Sequence, residues 1–181
     1  MNRPVCIYGN PALRRKSDPV TEVDDEIRQL ARDLLETMYR SRGVGLAAQQ
    51  IGRTEAVLVI DTAQGSDNDP EQPRENPDVP MPLVMINPEI TAKTGEETGD
   101  EGCLSFPEIY VKIKRAAEVT ASYTDLDNRT QTVCASGLLA RAIQHEIDHL
   151  NGVLLVDRMS VVQRAALAGK LKRLKKQAST G

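Results

Sequence analysis

Two histidines, His145 and His149, are the only ones in the chain, and they lie four residues apart with Glu146 directly after the first. In a helix, side chains at positions i and i+4 point the same way, so both imidazoles can reach one point. His-Glu-x-x-His on a helix is the signature of a metal site whose glutamate carries protons. The alternative is two core histidines spaced by chance, and the scarcity of histidine favours the metal site.

A catalytic metal needs a third protein ligand as well as an open position. After His149 the chain has no further His or Glu, and Asp157 is the only acid. One protease class places a third histidine after His-x-x-Gly, but here that position holds a leucine. The third ligand is therefore sought upstream, among the acids and three cysteines. Cys103 is the best candidate because it follows a glycine in a turn-rich segment, whereas apolar surroundings predict buried, inert thiols for Cys6 and Cys134.

The sequence predicts three helices, one of which carries this motif. Apolar positions on most of its circumference predict that the stretch 137–152 forms a buried helix. Asp24 or Asp25 can cap an amphipathic helix that runs to about Arg42, and Ser160 can cap a last, basic helix over 159–177. The inward face of that last helix is expected to carry Val161, Ala165, Leu167, Leu171 and Leu174.

Strands and turns fill the space between these helices. The Thr62–Pro82 segment is acidic and carries five prolines, which predicts a surface loop. Pro88 is expected to end one strand, and Asp125–Asn128 is expected to turn between the last two strands of an antiparallel set. The predicted strands are Val5–Tyr8, Ala56–Asp61, Leu83–Asn87, Ile109–Lys114, Glu118–Thr124 and Thr130–Ala135.

Composition bounds the class of protein. The 181 residues suffice for one domain, 1–181, and 40% apolar with 27% charged residues is ordinary for a globular chain. We expect no signal peptide and no membrane span, and three cysteines argue against a disulfide framework. A cytoplasmic location is therefore expected. The net charge is −3, although the end of the last helix is strongly basic.

Three stretches together, Gly43–Gln50 (GVGLAAQQ), Glu101–Ser105 (EGCLS) and Gln144–His149 (QHEIDH), resemble the three motifs of peptide deformylases. They occur in the same order, and the resemblance runs from Tyr8–Lys16 through Leu155. It implies an α+β fold, with antiparallel sheets packed around a central metal-binding helix and with N-terminal and C-terminal helices. It also implies hydrolytic removal of formyl from the N-terminal formylmethionine of new polypeptides.

The resemblance implies a role for each motif residue. Cys103, His145 and His149 would bind one divalent ion, with water in the fourth place, and Glu146 would act as general base and then acid. The family's metal is typically Fe(II), which zinc or nickel can replace. The implied oxyanion donors are Gln50 and the backbone N–H of Leu104, and the implied substrate contacts are Val44, Gly45 and Leu138, the last in the methionine pocket.

Some residues depart from the pattern or lie around it. Tyr110 stands where many bacterial members have an arginine near the substrate backbone, so binding beyond the methionine is expected to differ. Glu101 and Asp148 could orient a ligand or Arg115, or could serve as plain surface or cap residues. The expected partners are formyl-Met nascent peptides and, through the basic last helix, the ribosome, with no membrane and no DNA.

Three other functions remain open from the sequence. A metalloprotease would use the same helix with a third ligand other than Cys103. A non-catalytic module with a structural metal would not need Glu146 for its function. A nucleic-acid-binding protein would depend on the basic tail and show salt-dependent RNA affinity.

Overall fold

The computed structural model describes residues 4–63 and 75–179. This part of the chain contains helices and antiparallel sheets, the α+β class expected from the sequence. No helix in the described ranges has the length and apolarity that crossing a bilayer requires. The elements in chain order are α1 Asp25–Arg40, β1 Gly45–Ala47, β2 Val57–Ile60, β3 Leu83–Thr94, β4 Glu97–Cys103, β5 Phe106–Arg115, β6 Glu118–Thr124, β7 Thr130–Ser136, α2 Gly137–Leu150, α3 Leu155–Arg158 and α4 Val161–Ala178.

Helix α1 begins where the sequence predicts. The side chain of Asp24 accepts a hydrogen bond from the backbone N–H of Ile27 at 2.9 Å, which satisfies one of the free donors of the first turn. Its apolar stripe packs against β1 and β2, because residues three and four apart share one face. The buried residues of that stripe include Ile27, Leu30, Leu34 and Met38.

Five strands form one antiparallel sheet in the order β1-β2-β3-β6-β7, so β1 lies at an edge. The prediction that Pro88 ends its strand is wrong, because β3 continues to Thr94 through an irregularity between Ile86 and Glu89. Asn87 makes this possible by adopting a positive φ of 49°. Its side chain accepts from the N–H of Val20 at 2.8 Å and donates to the same residue's carbonyl at 2.7 Å. A proline without a ladder hydrogen bond is tolerated at such a bulge.

Strands β4 and β5 form a separate two-stranded sheet. The stretch around Cys103 contains the expected turn at residues 104–105, and Cys103 itself is the last residue of β4. The pairing register shifts between Gly102 and Cys103, and Cys103 then pairs with Phe106 across a tight connection. This shift places the thiol at the end of the hairpin, where it is half-buried.

Helix α2 lies between the two sheets. One side packs into the core of the five-stranded sheet through Leu139, Ile143 and Leu150, which are almost completely buried. The other side faces the β4–β5 hairpin through Arg141 and His145. The predicted buried helix is confirmed, and its burial on both sides explains its largely apolar circumference.

The two ends of the chain differ from the predictions in detail. Residues 5–8 form no strand, although the N–H groups of Cys6 and Tyr8 donate to Gln50 O at 2.7 Å and Ser105 O at 2.8 Å. Helix α4 is capped by Ser160 as predicted. Among its expected inward residues, Leu171 and Leu174 are buried and Leu167 is half-buried, whereas Val161 and Ala165 are exposed.

Two further predictions concern a thiol and a loop. Cys134 is exposed on β7, not buried, because it lies on the side of the edge strand that faces away from α2. Half of the predicted surface loop, 64–74, lies outside the described residues. Its last part is described and contacts the start of α2 through Glu75 and Asn76.

Candidate active site and metal centre

Two elements, β4 and α2, bring the three candidate ligands together. The thiol of Cys103 comes from the end of β4, and the imidazoles of His145 and His149 come from successive turns of α2. Cys103 Sγ lies 3.3 Å from His149 Nε2, and the two Nε2 atoms are 3.2 Å apart. All three ligand atoms lie within 4.8 Å of one another. Among the upstream acids and cysteines considered as third ligand, Cys103 is the residue that lies beside the two histidines.

These separations fit a bound metal ion. In a tetrahedral site with metal–nitrogen distances of about 2.0–2.1 Å and metal–sulfur distances of about 2.3 Å, neighbouring ligand atoms are about 3.3–3.6 Å apart. The observed separations of 3.2 and 3.3 Å are close to this range. Burial and the neighbouring His145 hold the pKa of His149 well below its usual value, which favours a neutral ring. Burial opposes protonation of His145, but Cys103 and Glu101 outweigh it and hold the pKa of His145 well above its usual value, so a metal that binds there must displace a proton.

His145 is oriented from behind by an ionic cluster. Glu101 Oε2 lies 2.9 Å from His145 Nδ1, so the ring directs Nε2 towards Cys103 and His149. Arg115 donates two hydrogen bonds to the Glu101 carboxylate, at 2.6 and 2.9 Å. Burial opposes ionisation of Glu101, but the bonds from Arg115 and His145 outweigh it and hold its pKa well below the usual range.

The cluster extends to the surface of α2. Arg115 also donates to Asp148 Oδ2 at 2.7 Å, and Arg158 donates to the same carboxylate at 2.5 and 2.9 Å. Of the two roles that the sequence left open for Glu101 and Asp148, these contacts with His145 and Arg115 favour the orienting one over a plain surface or cap role. By contrast, His149 Nδ1 is buried and has no hydrogen-bond partner within residues 4–63 and 75–179.

Glu146 lies between the two histidines in sequence and is only 4% exposed. Its Oε2 atom is buried and finds no hydrogen-bond partner in the described ranges. Burial raises the pKa of this carboxyl to about 7. The backbone of Gly45 passes so close that a side chain there would place Cβ 2.5 Å from Glu146 Oε1. A larger residue at this position would therefore displace the Glu146 carboxylate.

Gln50 holds a fixed orientation beside Cys103. Its Oε1 accepts from the backbone N–H of Ala47 at 2.9 Å, and its Nε2 donates to Ser105 Oγ at 3.2 Å. The same Nε2 lies 3.7 Å from Cys103 Sγ. The carbonyl oxygen of the amide is thereby occupied, so the NH₂ group is the end that faces the thiol.

A cavity of about 340 Å³ opens beside this centre. Tyr110, Leu138 and Val44 line it and are 75%, 45% and 40% exposed, so they form its accessible rim. His149 does not line the cavity and is only 1% exposed. The other predicted site residues all line it: Gly45, Gln50, Cys103, Leu104, His145 and Glu146.

Sequence reasoning missed two features of the site. Arg141 is 8% exposed and donates to Glu101 Oε1 and Ile113 O, both at 2.9 Å, and to Glu97 O at 3.2 Å. It therefore joins α2 to both strands of the hairpin. An arginine within the otherwise apolar first part of α2, residues 138–143, was the available signal. Ser105, completely buried, was missed as the acceptor for Gln50 because nothing in the sequence pairs them.

Sequences similar to this chain include several peptide deformylases. The sequence profile of the family described as polypeptide deformylase matches residues 2–165. A peptide deformylase of Nitrosococcus oceani is 44% identical over 163 residues, which are 90% of each chain. A peptide deformylase of a Picosynechococcus species is 46% identical over 166 residues, covering 91% of this chain and 81% of that one.

Solved structures agree with the sequence comparison. The peptide deformylase of Thermus thermophilus superposes with a TM-score of 0.85 at 36% identity, covering 98% of this chain and 99% of that one. The peptide deformylase of Synechococcus elongatus, solved in complex with actinonin, superposes with a TM-score of 0.81 at 41% identity. That match covers 98% of this chain and 93% of the other.

Proposed function

The chain belongs to the polypeptide deformylase family. We propose that Cys103, His145 and His149 bind its catalytic divalent metal ion. It is a hydrolase that removes the formyl group from the N-terminal formylmethionine of newly made polypeptides and releases formate. The observation that supports the residue assignment is that His149 Nε2 lies 3.3 Å from Cys103 Sγ and 3.2 Å from His145 Nε2, with all three ligand atoms within 4.8 Å of one another beside an open cavity.

Glu146 is the proposed proton carrier. When bound, a divalent ion at this site supplies an activated water nucleophile and Lewis acidity towards the formyl oxygen. Glu146 takes the proton of the attacking water on its carboxylate and delivers it to the amine that leaves. Support comes from its burial beside the ligands, and from an Oε2 atom without a partner in the described part of the chain.

Gln50 and the backbone N–H of Leu104 are the proposed donors to the formyl oxygen. Attack on the formyl carbon places negative charge on that oxygen, and preplaced donors stabilise this charge. Gln50 supports the role because bonds to Ala47 and Ser105 fix its amide before substrate arrives. Loss of one such donor typically costs about 3–4 kcal/mol of transition-state stabilisation.

The substrate backbone is proposed to bind along Val44 and Gly45. Strand β1 pairs only with β2 within the described sheet, so its other edge is available for an added strand. Leu138 is assigned to the wall of the methionine pocket because it lines the cavity and is partly exposed. Tyr110 is assigned to residues beyond the methionine, where its exposed ring offers apolar contact in place of a charge.

Fe(II) is the proposed metal, with zinc or nickel able to replace it. A site of one thiolate and two imidazoles suits all three ions. Metal analysis of anaerobically purified protein tests the assignment. Activity that survives prolonged exposure to air, with zinc as the only bound ion, would contradict Fe(II), because Fe(II) and its thiolate ligand are both oxidisable.

The proposed setting is the cytoplasm, with a ribosome contact through α4. Leu171 and Leu174 hold the helix on the protein, while its basic side chains are exposed. Lys172→Glu together with Arg173→Glu reverses charge without touching the buried leucines. Loss of ribosome co-sedimentation in the double variant would support the contact, and unchanged co-sedimentation would refute it. These basic side chains are Lys170, Lys172, Arg173, Lys175 and Lys176.

The residue roles are tested with formyl-Met-Ala-Ser and the same peptide without formyl. The wild-type chain should release formate from the first and leave the second intact, whereas a metalloprotease would cleave internal bonds of unformylated peptides. Glu146→Gln should retain one metal per chain and lose nearly all turnover, because the metal ligands remain and the proton carrier is removed. Full activity in this variant would refute the mechanism, and Glu118→Gln, an exposed glutamate on β6, is the matched control.

A further inference from the structure

The first turn of α2 obtains its cap from a distant part of the chain. Ser136 occupies the cap position but makes no side-chain hydrogen bond to the turn. Instead, Glu75 Oε2 accepts from the backbone N–H of Leu138 at 3.0 Å. Asn76 binds the backbone of Ser136 twice, accepting from its N–H at 2.9 Å and donating to its carbonyl at 3.2 Å.

The start of the helix is shaped to receive the Glu75 carboxylate. Gly137 has a positive φ of 57°, and a Cβ atom there would collide with that carboxylate. The N-terminus of a helix carries partial positive charge, which a carboxylate stabilises. No acidic residue lies in the first turn of α2 itself, so Glu75 is the residue that supplies this charge.

The capped peptide group belongs to a residue of the active-site wall. Leu138 lines the cavity beside Cys103 and Glu146, and it is 45% exposed. His145 lies seven residues further along the helix, about 10 Å at a rise of 1.5 Å per residue. A substitution that removes the cap should therefore affect the position of Leu138 in the cavity wall more than the positions of the metal ligands.

We propose that Glu75 and Asn76 are positioning residues that hold Leu138 in the wall of the cavity where the formylated substrate binds. The inference depends on the deformylase function proposed above. It gives the described end of the 62–82 segment a role in substrate binding. The segment binds the backbone at the start of α2 through Glu75 and Asn76, and this holds the Leu138 side chain at the cavity.

Steady-state kinetics with formyl-Met-Ala-Ser test this role. Glu75→Ala should raise KM about fivefold with kcat unchanged within about twofold, because loss of a helix cap corresponds to roughly that factor. Glu75→Gln should raise KM less, since its amide oxygen still accepts the Leu138 N–H although the charge is lost. Asp78→Ala is the matched control, because Asp78 is an exposed acid of the same segment, and KM should stay at the wild-type value.

Amide hydrogen exchange gives a readout that is independent of turnover. Exchange at the Leu138 N–H should be about fivefold faster in Glu75→Ala and unchanged in Asp78→Ala. The inference is overturned if an active Glu75→Ala enzyme shows wild-type KM, whether or not exchange at Leu138 is faster, because Glu75 would then cap the helix without affecting substrate binding. It is also overturned if kcat falls while KM does not change. A wild-type chain that leaves formylated peptides intact refutes the proposed function instead.

Discussion

Replacing Glu101 with glutamine should weaken both the fold and the metal centre. The change keeps the shape of the side chain and removes a buried charge that three groups share. Arg115 retains a carboxylate partner in Asp148, whereas Glu101 is the one carboxylate that Arg141 contacts within the described residues. Removing one partner of a buried ion pair costs about 3–5 kcal/mol, and the remaining Asp148 contact places the expected loss near the lower end, about 3 kcal/mol.

The assay for this change is urea unfolding in the presence of a chelator, so that metal binding does not contribute to the measured stability. With a slope of about 2 kcal/mol per molar urea, a loss of about 3 kcal/mol lowers the midpoint by about 1.5 M. His145 also loses the carboxylate that fixes its ring, so chelator-driven metal loss should be about 10–100-fold faster.

Glu118→Gln serves as the control for the Glu101 substitution. It removes the same charge from an exposed position on β6, where surface substitutions change stability by about 0.5 kcal/mol or less. Equal midpoints and equal metal-loss rates for the two variants would refute the assignment of Glu101 as a support of the metal centre. A lower midpoint with unchanged metal loss would leave it a structural role only and refute the link to His145.

Four further predictions concern other parts of the molecule. Gly45→Ala should lower kcat about 10–100-fold at unchanged metal content, measured by formate release, because the new methyl group displaces Glu146, the proposed general base. Arg141→Met should destabilise the protein by about 2–3 kcal/mol in urea unfolding, since buried acceptors lose their donor. Chelation should lower the melting temperature and added zinc should restore it, because an ion that binds only the folded state stabilises it. Asp157→Asn should lower the free energy of unfolding above about pH 4, and the two proteins should become equally stable in acid. Burial opposes ionisation of Asp157, but hydrogen bonds from Arg14 and the Leu154 N–H outweigh it and lower its pKa in the folded state. The ionised carboxylate therefore stabilises the fold above the pKa of the unfolded chain, and this stabilisation is lost as the pH falls through the pKa of the folded protein. Each would be contradicted by a variant or treated sample that behaves as wild type across the stated range.

The chemistry of the site could be read from the sequence because it depends on residue types at fixed spacing. Two histidines four apart with a glutamate between them define one face of a helix, whatever the rest of the fold does. The apolar residues around the motif also predicted α2 correctly, because a helix that is apolar on most of its circumference is a buried one. The placement of Cys103 needed the resemblance or the structure, since nothing local links it to α2.

What could not be predicted depends on tertiary contacts. Strand β3 continues past Pro88 because Asn87 is held by the backbone of Val20, a partner 67 residues away. The cap of α2 comes from Glu75. Helix α4 leaves Val161 and Ala165 exposed, because the side of its first turn that faces the protein carries Gln163, which donates to Lys112 O at 2.9 Å. Propensity and pattern describe neighbours along the chain, and these outcomes are decided by neighbours in space.

Because α2 is covered by a sheet on one side and by a hairpin on the other, little of its surface is free to vary. Residues towards the large sheet are constrained by close packing, and residues towards the hairpin by ion pairs and ligand geometry. Related chains that differ in the peptides they prefer would therefore be expected to differ in the loops and strand edges around the helix. The sequence of the helix itself should vary least among such chains. Engineering of substrate preference should therefore begin with the loops and strand edges beside it.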